Sequence, residues 1–245
     1  MTWNIYFTGT KVPELNRFSH LEINIYHTPT IQINYTEPES FQKVEGFLNK
    51  GAPIIFLSRN GVIGFQKWLK RLDKSFEHWS NPLIAVGSET SLEIERVFHR
   101  SSHVPENQRA KDIPEILKTY PHKQAILITG NRSRPELPRW MTENGWDFIT
   151  AVVYQTGWFE NLDLKQKFKN GDDEILIFSS PSTVEGFLQT ICQNDLKSIQ
   201  SKLVSIGPTT SREIEKLSGR VFLEAANPSI NSVISETINL ITHVQ

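Results

Sequence analysis

The chain has 245 residues, 38% of them hydrophobic and 22% charged, and its 26 basic and 27 acidic residues leave a formal net charge of −1. That length suits one large domain or two of ordinary size, and near-neutrality offers no bulk field for nucleic acid or an anionic membrane. The single cysteine, Cys192, excludes an internal disulfide or a multi-cysteine metal cluster; with no long apolar run and no signal-peptide pattern, the expected setting is the cytoplasm.

In chain order, apolar periodicity predicts strand 4–8, helix 12–19, strand 21–27, helix 38–49, strand 53–58, helix 60–72, strand 83–87 and helix 89–99. After a loop the pattern resumes with strand 124–129, helix 135–144, strand 147–154, helix 162–169, strand 173–179 and helix 182–193. It closes with strand 202–206, helix 209–217, strand 220–223 and helix 229–242. The runs "PIIFLS", "AILIT" and "EILIFSS" are continuously apolar rather than alternating. Strands covered on both faces read this way, so the fold class is α/β with doubly wound, flavodoxin-like parallel sheets. Cys192 falls in a helical pattern and is expected to serve packing.

The chain repeats itself. "LIAVGSETSLEIERV" (83–97) parallels "LVSIGPTTSREIEKL" (203–217), and "IIFLSRNGVIGF" (54–65) parallels "LIFSSPSTVEGF" (176–187). A weaker pair joins "IYFTGTKVPELNRF" (5–18) to "LITGNRSRPELPRW" (127–140). The common offset of about 120 residues implies two homologous halves. The β-like, aromatic joints lie at 27–40 and 151–161. Sequence leaves open whether the halves are successive domains or whether the first strand and helix pack with the C-terminal half.

Ligands of wound α/β sheets bind beyond the carboxyl ends of the strands. The residues predicted there are small, hydroxylated or amide-bearing: Thr8-Gly9-Thr10, Ser58-Arg59-Asn60, Gly87-Ser88-Glu89-Thr90, Thr129-Gly130-Asn131-Arg132, Ser179-Ser180-Pro181-Ser182 and Gly207-Pro208-Thr209-Thr210. Each turn can cradle an anion on free backbone N–H groups, and each can equally be a helix cap. Arg59 and Arg132 add guanidinium forks suited to carboxylates, and Arg109 and Lys111 add positive potential. Tyr154, at the end of a strand, reads either as an interface plug or as a phenolic donor. Neither a G-x-G-x-x-G nor a P-loop motif occurs, no carboxylate ends a strand, and no histidine has metal-ligand spacing, so no metal is expected.

Taken in order, these segments resemble uroporphyrinogen-III synthases. "IIFLSRNGVIGF" is similar to the family's F-T-S-x-N-(A/G)-V, "VVYQT" to its V-Y-x-T, "ILIFSSPSTVEGF" to its F-x-S-P-S-x-V, and "VSIGPTTSREIE" to its I-G-P-T-T segment. The resemblance implies two α/β domains joined by a two-stranded β ladder with a cleft between them. It divides the chain into 1–33 with 157–245, and 36–153, with linkers at 28–36 and 151–158. It implies cyclisation of the linear tetrapyrrole hydroxymethylbilane to uroporphyrinogen III, with loss of water and inversion of ring D, in haem and sirohaem biosynthesis. No cofactor is implied. The implied partner is that polyanionic substrate, handed over from hydroxymethylbilane synthase; the chain is expected to be a monomer without nucleic-acid or membrane contacts. By motif, Tyr154 becomes the catalytic candidate. Ser58, Arg59, Asn60, Ser88, Gly130, Asn131, Arg132, Ser180, Pro181, Ser182, Gly207, Thr209 and Thr210 become substrate-binding candidates, with capping as the other role of the hydroxylated residues and of Asn60. One departure is "FTGTKVPEL", where the family's first strand ends T-R-P; that arginine is absent here.

Overall fold

The computed structural model describes residues 2–13, 23–38 and 41–242. Contacts divide the chain into two compact units, Met1–Gln32 with Gly157–Gln245, and Ile33–Thr156. The helix expected over 12–19 lies, from residue 14 on, outside the described residues.

The first unit holds β1 (Trp3–Phe7), β2 (Ile23–His27), β8 (Glu174–Phe178), β9 (Lys202–Ser205) and β10 (Val221–Glu224) in the sheet order β10-β9-β8-β1-β2. Around them lie α6 (Leu162–Lys167), α7 (Pro181–Ile191), α8 (Pro208–Lys216) and α9 (Ile230–Thr242). The second sheet runs β3-β7-β6-β4-β5, formed by β3 (Ile31–Tyr35), β4 (Ile54–Phe56), β5 (Leu83–Ala85), β6 (Gln124–Gly130) and β7 (Asp147–Trp158). Its helices are α1 (Phe41–Asn49), α2 (Arg59–Arg71), α3 (Ser88–Phe98), α4 (Ile113–Leu117) and α5 (Glu136–Glu143). The pairings β1–β2, β1–β8, β8–β9, β9–β10, β4–β5, β4–β6 and β6–β7 are all parallel.

Successive strand residues enter opposite cores, which explains the unbroken apolar runs. Ile54 and Phe56 join Ile126 and Ile128 on one face of their sheet, while Ile55 joins Ala125 and Leu127 on the other. In the first unit Ile5, Phe7, Ile175 and Ile177 take one face, and Tyr6, Leu176 and Phe178 the other. A wholly buried side chain of this size contributes roughly 1.5–3 kcal/mol, so both faces of each sheet are indispensable.

The sequence repeat has a spatial counterpart. Four strands occur in one order in each unit: β9-β8-β1-β2 in the first and β5-β4-β6-β7 in the second. The fifth strand differs: β10 is added beside β9, whereas β3 is added beside β7. The repeated glycines Gly186 and Gly64 share one cause. A Cβ on Gly186 would lie 2.3 Å from the Thr30 carbonyl oxygen, and one on Gly64 would lie 2.7 Å from that of Val153. In each unit a helix glycine thus lets backbone pass against the helix, that following β2 in the first unit and that of β7 in the second.

Some expectations need correction. Cys192 does not pack inside: it is exposed and forms the left-handed C-cap of α7, with φ 57°. Residues 113–117, read as loop, form α4, and Pro114 within its first turn is compatible with a helix start. The strand expected to stop at 154 continues to Trp158.

Candidate functional site

In each sheet the chain reverses its direction of strand addition at one strand pair, β1/β8 in the first unit and β4/β6 in the second. Such a switch point splays the adjoining loops and opens a crevice at the carboxyl ends of the strands. In the second unit the rim of that switch point is formed by the turn after β4, Ser58-Arg59-Asn60, and the turn after β6, Gly130-Asn131-Arg132.

Tyr154 is brought to this rim by a bulge. The β6–β7 register pairs Thr129 with Val152 and then Gly130 with Tyr154, so Val153 is the extra residue. Ile149, Ala151 and Val153 face the core shared with α2, as alternation requires, and Tyr154 packs against that same core. The bulge re-aims its ring by placing two successive side chains on one face. Tyr154 then meets the start of α2, where its hydroxyl lies 2.9 Å from Ser58 Oγ.

Three motif residues hold Tyr154. Ser58 engages its hydroxyl while serving as N-cap of α2, its Oγ accepting from the Gly61 N–H at 3.1 Å. Gly130 lies under the ring: an added Cβ would stand 2.4 Å from Cζ and 2.5 Å from Cε2. Asn131 binds the backbone, its N–H donating to the Tyr154 carbonyl at 3.2 Å and its Oδ1 accepting from Thr156 N–H at 2.9 Å. Burial pushes the Tyr154 phenol above its ordinary value of 10, and the Ser58 hydrogen bond only partly counters this. Tyr154 is therefore a protonated hydroxyl, able to donate, at any physiological pH.

Asn60, considered as a cap, does not cap the helix; Ser58 does, and Asn60 Oδ1 accepts from the Tyr35 hydroxyl at 3.3 Å. Arg59 turns to the buried carboxylate of Glu93, 3.0 Å away, which Arg96 also contacts from one helical turn on. Burial alone would raise the Glu93 carboxyl; the hydrogen bonds and charges of Arg96 and Arg59 outweigh burial and hold it below the ordinary carboxylate value. Ser88 is exposed in the first turn of α3, and its N–H donates to Gln108 Oε1 at 3.0 Å. This turn thus already holds an amide oxygen. Arg132 is exposed beyond Gly130.

In the first unit Ser180 caps α7 through a capping box with Thr183, Pro181 occupies the first turn, and Ser182 is half-buried beside it. Gly207 starts α8 without any side-chain cap; Thr209 is exposed and Thr210 buried. The Gly9 carbonyl lies 2.8 Å from His27 Nε2, and a Cβ on Gly9 would reach Ser179 Oγ at 2.7 Å. The turn lacking an arginine is thus closely packed.

Sequence reasoning missed Tyr35, Glu93 and Gln108. Glu93 was within reach, since Thr90, Glu93 and Ile94 form the buried stripe of α3 and an acid on such a stripe needs a partner. Gln108 approaches Ser88 across a loop, and no local pattern announces it. Among the described residues no group of three or more His, Cys, Asp or Glu could hold a metal, and no helix is long and apolar enough to cross a membrane.

A family model described as "Uroporphyrinogen-III synthase HemD" matches residues 15–235. The uroporphyrinogen-III synthase of Chlorobaculum parvum is 26% identical over 204 residues, covering 78% of this chain and 81% of that protein. The Schizosaccharomyces pombe protein of that name is 23% identical over 162 residues, covering 64% and 62% respectively. Among solved structures, uroporphyrinogen-III synthetase from Helicobacter pylori aligns with a TM-score of 0.68 at 19% identity, covering 97% of this chain and 99% of that one. A uroporphyrinogen III synthase variant from Thermus thermophilus also aligns with a TM-score of 0.68, at 12% identity over 98% of this chain and 99% of that one. These structural likenesses show a common fold.

Proposed function

The chain belongs to the uroporphyrinogen-III synthase family of tetrapyrrole biosynthesis, and from that premise we propose that it closes hydroxymethylbilane into uroporphyrinogen III. The observation that carries the reading is the fixed Tyr154 hydroxyl beside the strand switch point.

The pyrrole supplies the driving force. Its nitrogen lone pair expels the hydroxymethyl oxygen and leaves a delocalised cation. In the proposed step Tyr154 gives its proton to that oxygen, the C–O electron pair goes with it, and water departs. Ring D then bonds through its substituted α-carbon, and rearrangement inverts the ring. The proton lost when the last pyrrole regains aromaticity restores the phenol. No electron leaves the system, so this scheme requires no redox group.

Protein groups are then needed for orientation, which is worth roughly 7–11 kcal/mol at its extreme, and for proton delivery. The substrate's acid side chains call for many modest donors. In this reading they come from Arg132 and the turns around Ser180-Pro181-Ser182 and Gly207-Thr209-Thr210. Two structural units, the ladder between them and a cleft closing on the substrate belong to the same proposal, as do a monomeric state and direct receipt of the unstable bilane from its synthase.

The test is product analysis. Purified protein incubated with freshly generated hydroxymethylbilane is expected to yield isomer III, unchanged after chelator treatment. Isomer I alone would overturn the enzyme reading and leave a polyanion-binding module. Tyr154→Phe is expected to slow isomer III formation by about 10²-fold, the lower end of acid–base contributions, without abolishing it; an unchanged rate would remove Tyr154 from the chemistry.

A further inference from the structure

Ser58 stands at a strand end with the composition of an anion cradle, yet its hydroxyl is already committed. We propose that Ser58 is a positioning residue acting through Tyr154, donating its hydroxyl hydrogen to the phenolic oxygen as that oxygen loses its proton, instead of binding a substrate carboxylate. This rests on the reading of Tyr154 as proton donor.

A serine hydroxyl has one hydrogen and two lone pairs. One lone pair of Ser58 Oγ takes the Gly61 N–H at 3.1 Å, which fixes the oxygen at the first turn of α2. The Tyr154 oxygen is the neighbour left for its hydrogen, 2.9 Å away. Donation toward Tyr154 completes a one-way chain from Gly61 N–H through Ser58 O–H to the phenol oxygen. Hydrogen bonds aligned in one direction polarise one another, and this chain begins at the positive end of the thirteen-residue helix α2. Negative charge developing on the phenol oxygen strengthens it further, so Ser58 contributes most when the proton is in flight.

The rest of the cradle supports that single purpose. Gly130 admits the ring, and Asn131 holds the backbone that carries it. Tyr35 on β3 is the ionisable group that senses Tyr154; Arg59 on α2 and Glu93 on α3 act on Tyr35 and are paired with each other. The proton balance is closed: Tyr154 O–H gives its hydrogen to the departing hydroxyl, the phenolate is held by Ser58 O–H, and the ring-closing carbon returns a proton.

The experiment compares Ser58→Ala, Ser58→Gly and Ser58→Thr, each alone and with Tyr154→Phe. Glycine is a tolerated N-cap, so Ser58→Gly removes the hydroxyl while keeping the start of α2; thermal unfolding identifies the folded variants. The Tyr154 phenol is followed by NMR of ring-labelled tyrosine, and the kinetics by isomer III formation. Expected are a higher titration point for Tyr154 in the Ala and Gly variants, restored by Ser58→Thr. Alongside it kcat should fall by about tenfold to a hundredfold with little change in KM, as for loss of a hydrogen bond to a charged oxygen. Ser58→Ala should add nothing once Tyr154 is Phe. An unmoved Tyr154 titration, a raised KM at constant kcat, or full additivity with Tyr154→Phe would each overturn the proposal. If even the parent protein forms no isomer III, the enzyme reading fails separately, while the titration still decides whether Ser58 donates to Tyr154.

Discussion

Gly130→Ala is the smallest change that should separate a positioned Tyr154 from a merely present one. The added methyl group would stand 2.4 Å from Tyr154 Cζ, 2.5 Å from Cε2 and 2.9 Å from Cε1. Carbon atoms settle near 3.5–4.0 Å, so the ring must retreat by about 1 Å or more. The crowded atom Cζ carries the hydroxyl, and that hydroxyl sits 2.9 Å from Ser58 Oγ. A retreat of this size must alter the length or the angle of that hydrogen bond. The expected loss is about 10²-fold in isomer III formation, the scale of a 1 Å misplacement at a reacting centre. Overpacking should cost about 1–3 kcal/mol of stability as well. In a Tyr154→Ala background the ring is gone, and Gly130→Ala should then leave stability nearly unchanged. The assays are isomer analysis with coupled bilane generation and thermal unfolding of the four proteins of the cycle. Parental turnover and melting temperature in Gly130→Ala would refute the claim that this glycine exists to admit the ring.

The buried Glu93 anchors Arg59 and Arg96, so Glu93→Gln should destabilise by about 1–3 kcal/mol in chemical denaturation. Because its folded value is depressed, its contribution is full above the ordinary 4.5 and is lost as pH falls through the folded value; the gap between the two proteins should close in acid. Gly186→Ala and Gly64→Ala should each cost about 1–3 kcal/mol net, the clash with a backbone carbonyl exceeding the helix-propensity gain, as read from unfolding midpoints. Since burial raises Tyr154, the alkaline limb of the kcat profile should lie above 10, and a limb near neutrality would exclude this phenol as the titrating acid.

Much of this was readable in one dimension. The apolar runs at 53–58, 124–129 and 173–179 identify buried parallel strands because both of their faces meet cores. Ser58 and Ser180 stand where helices begin, and each proves to be an N-cap. The repeat even carries the paired glycines Gly64 and Gly186, whose neighbours are backbone atoms far away in sequence. Other roles were illegible for a definite reason: they depend on what another segment brings alongside. Arg59 has the chemistry of a carboxylate ligand, and Glu93 supplies that carboxylate from another helix. Asn60 has the composition of a cap and receives Tyr35 instead.

The sequence by itself determined the alternation of strands and helices, the duplicated motifs and the residue types at the strand ends, because local periodicity and capping are properties of neighbours along the chain. Only the tertiary structure decided what those residue types do. A slip at Val153 in the β6–β7 register turns Tyr154 onto the α2 side of the sheet, and Ser58, Gly130 and Asn131 then become its supports. A bulge is settled by pairing between strands, and no single stretch of chain encodes which partner it will face.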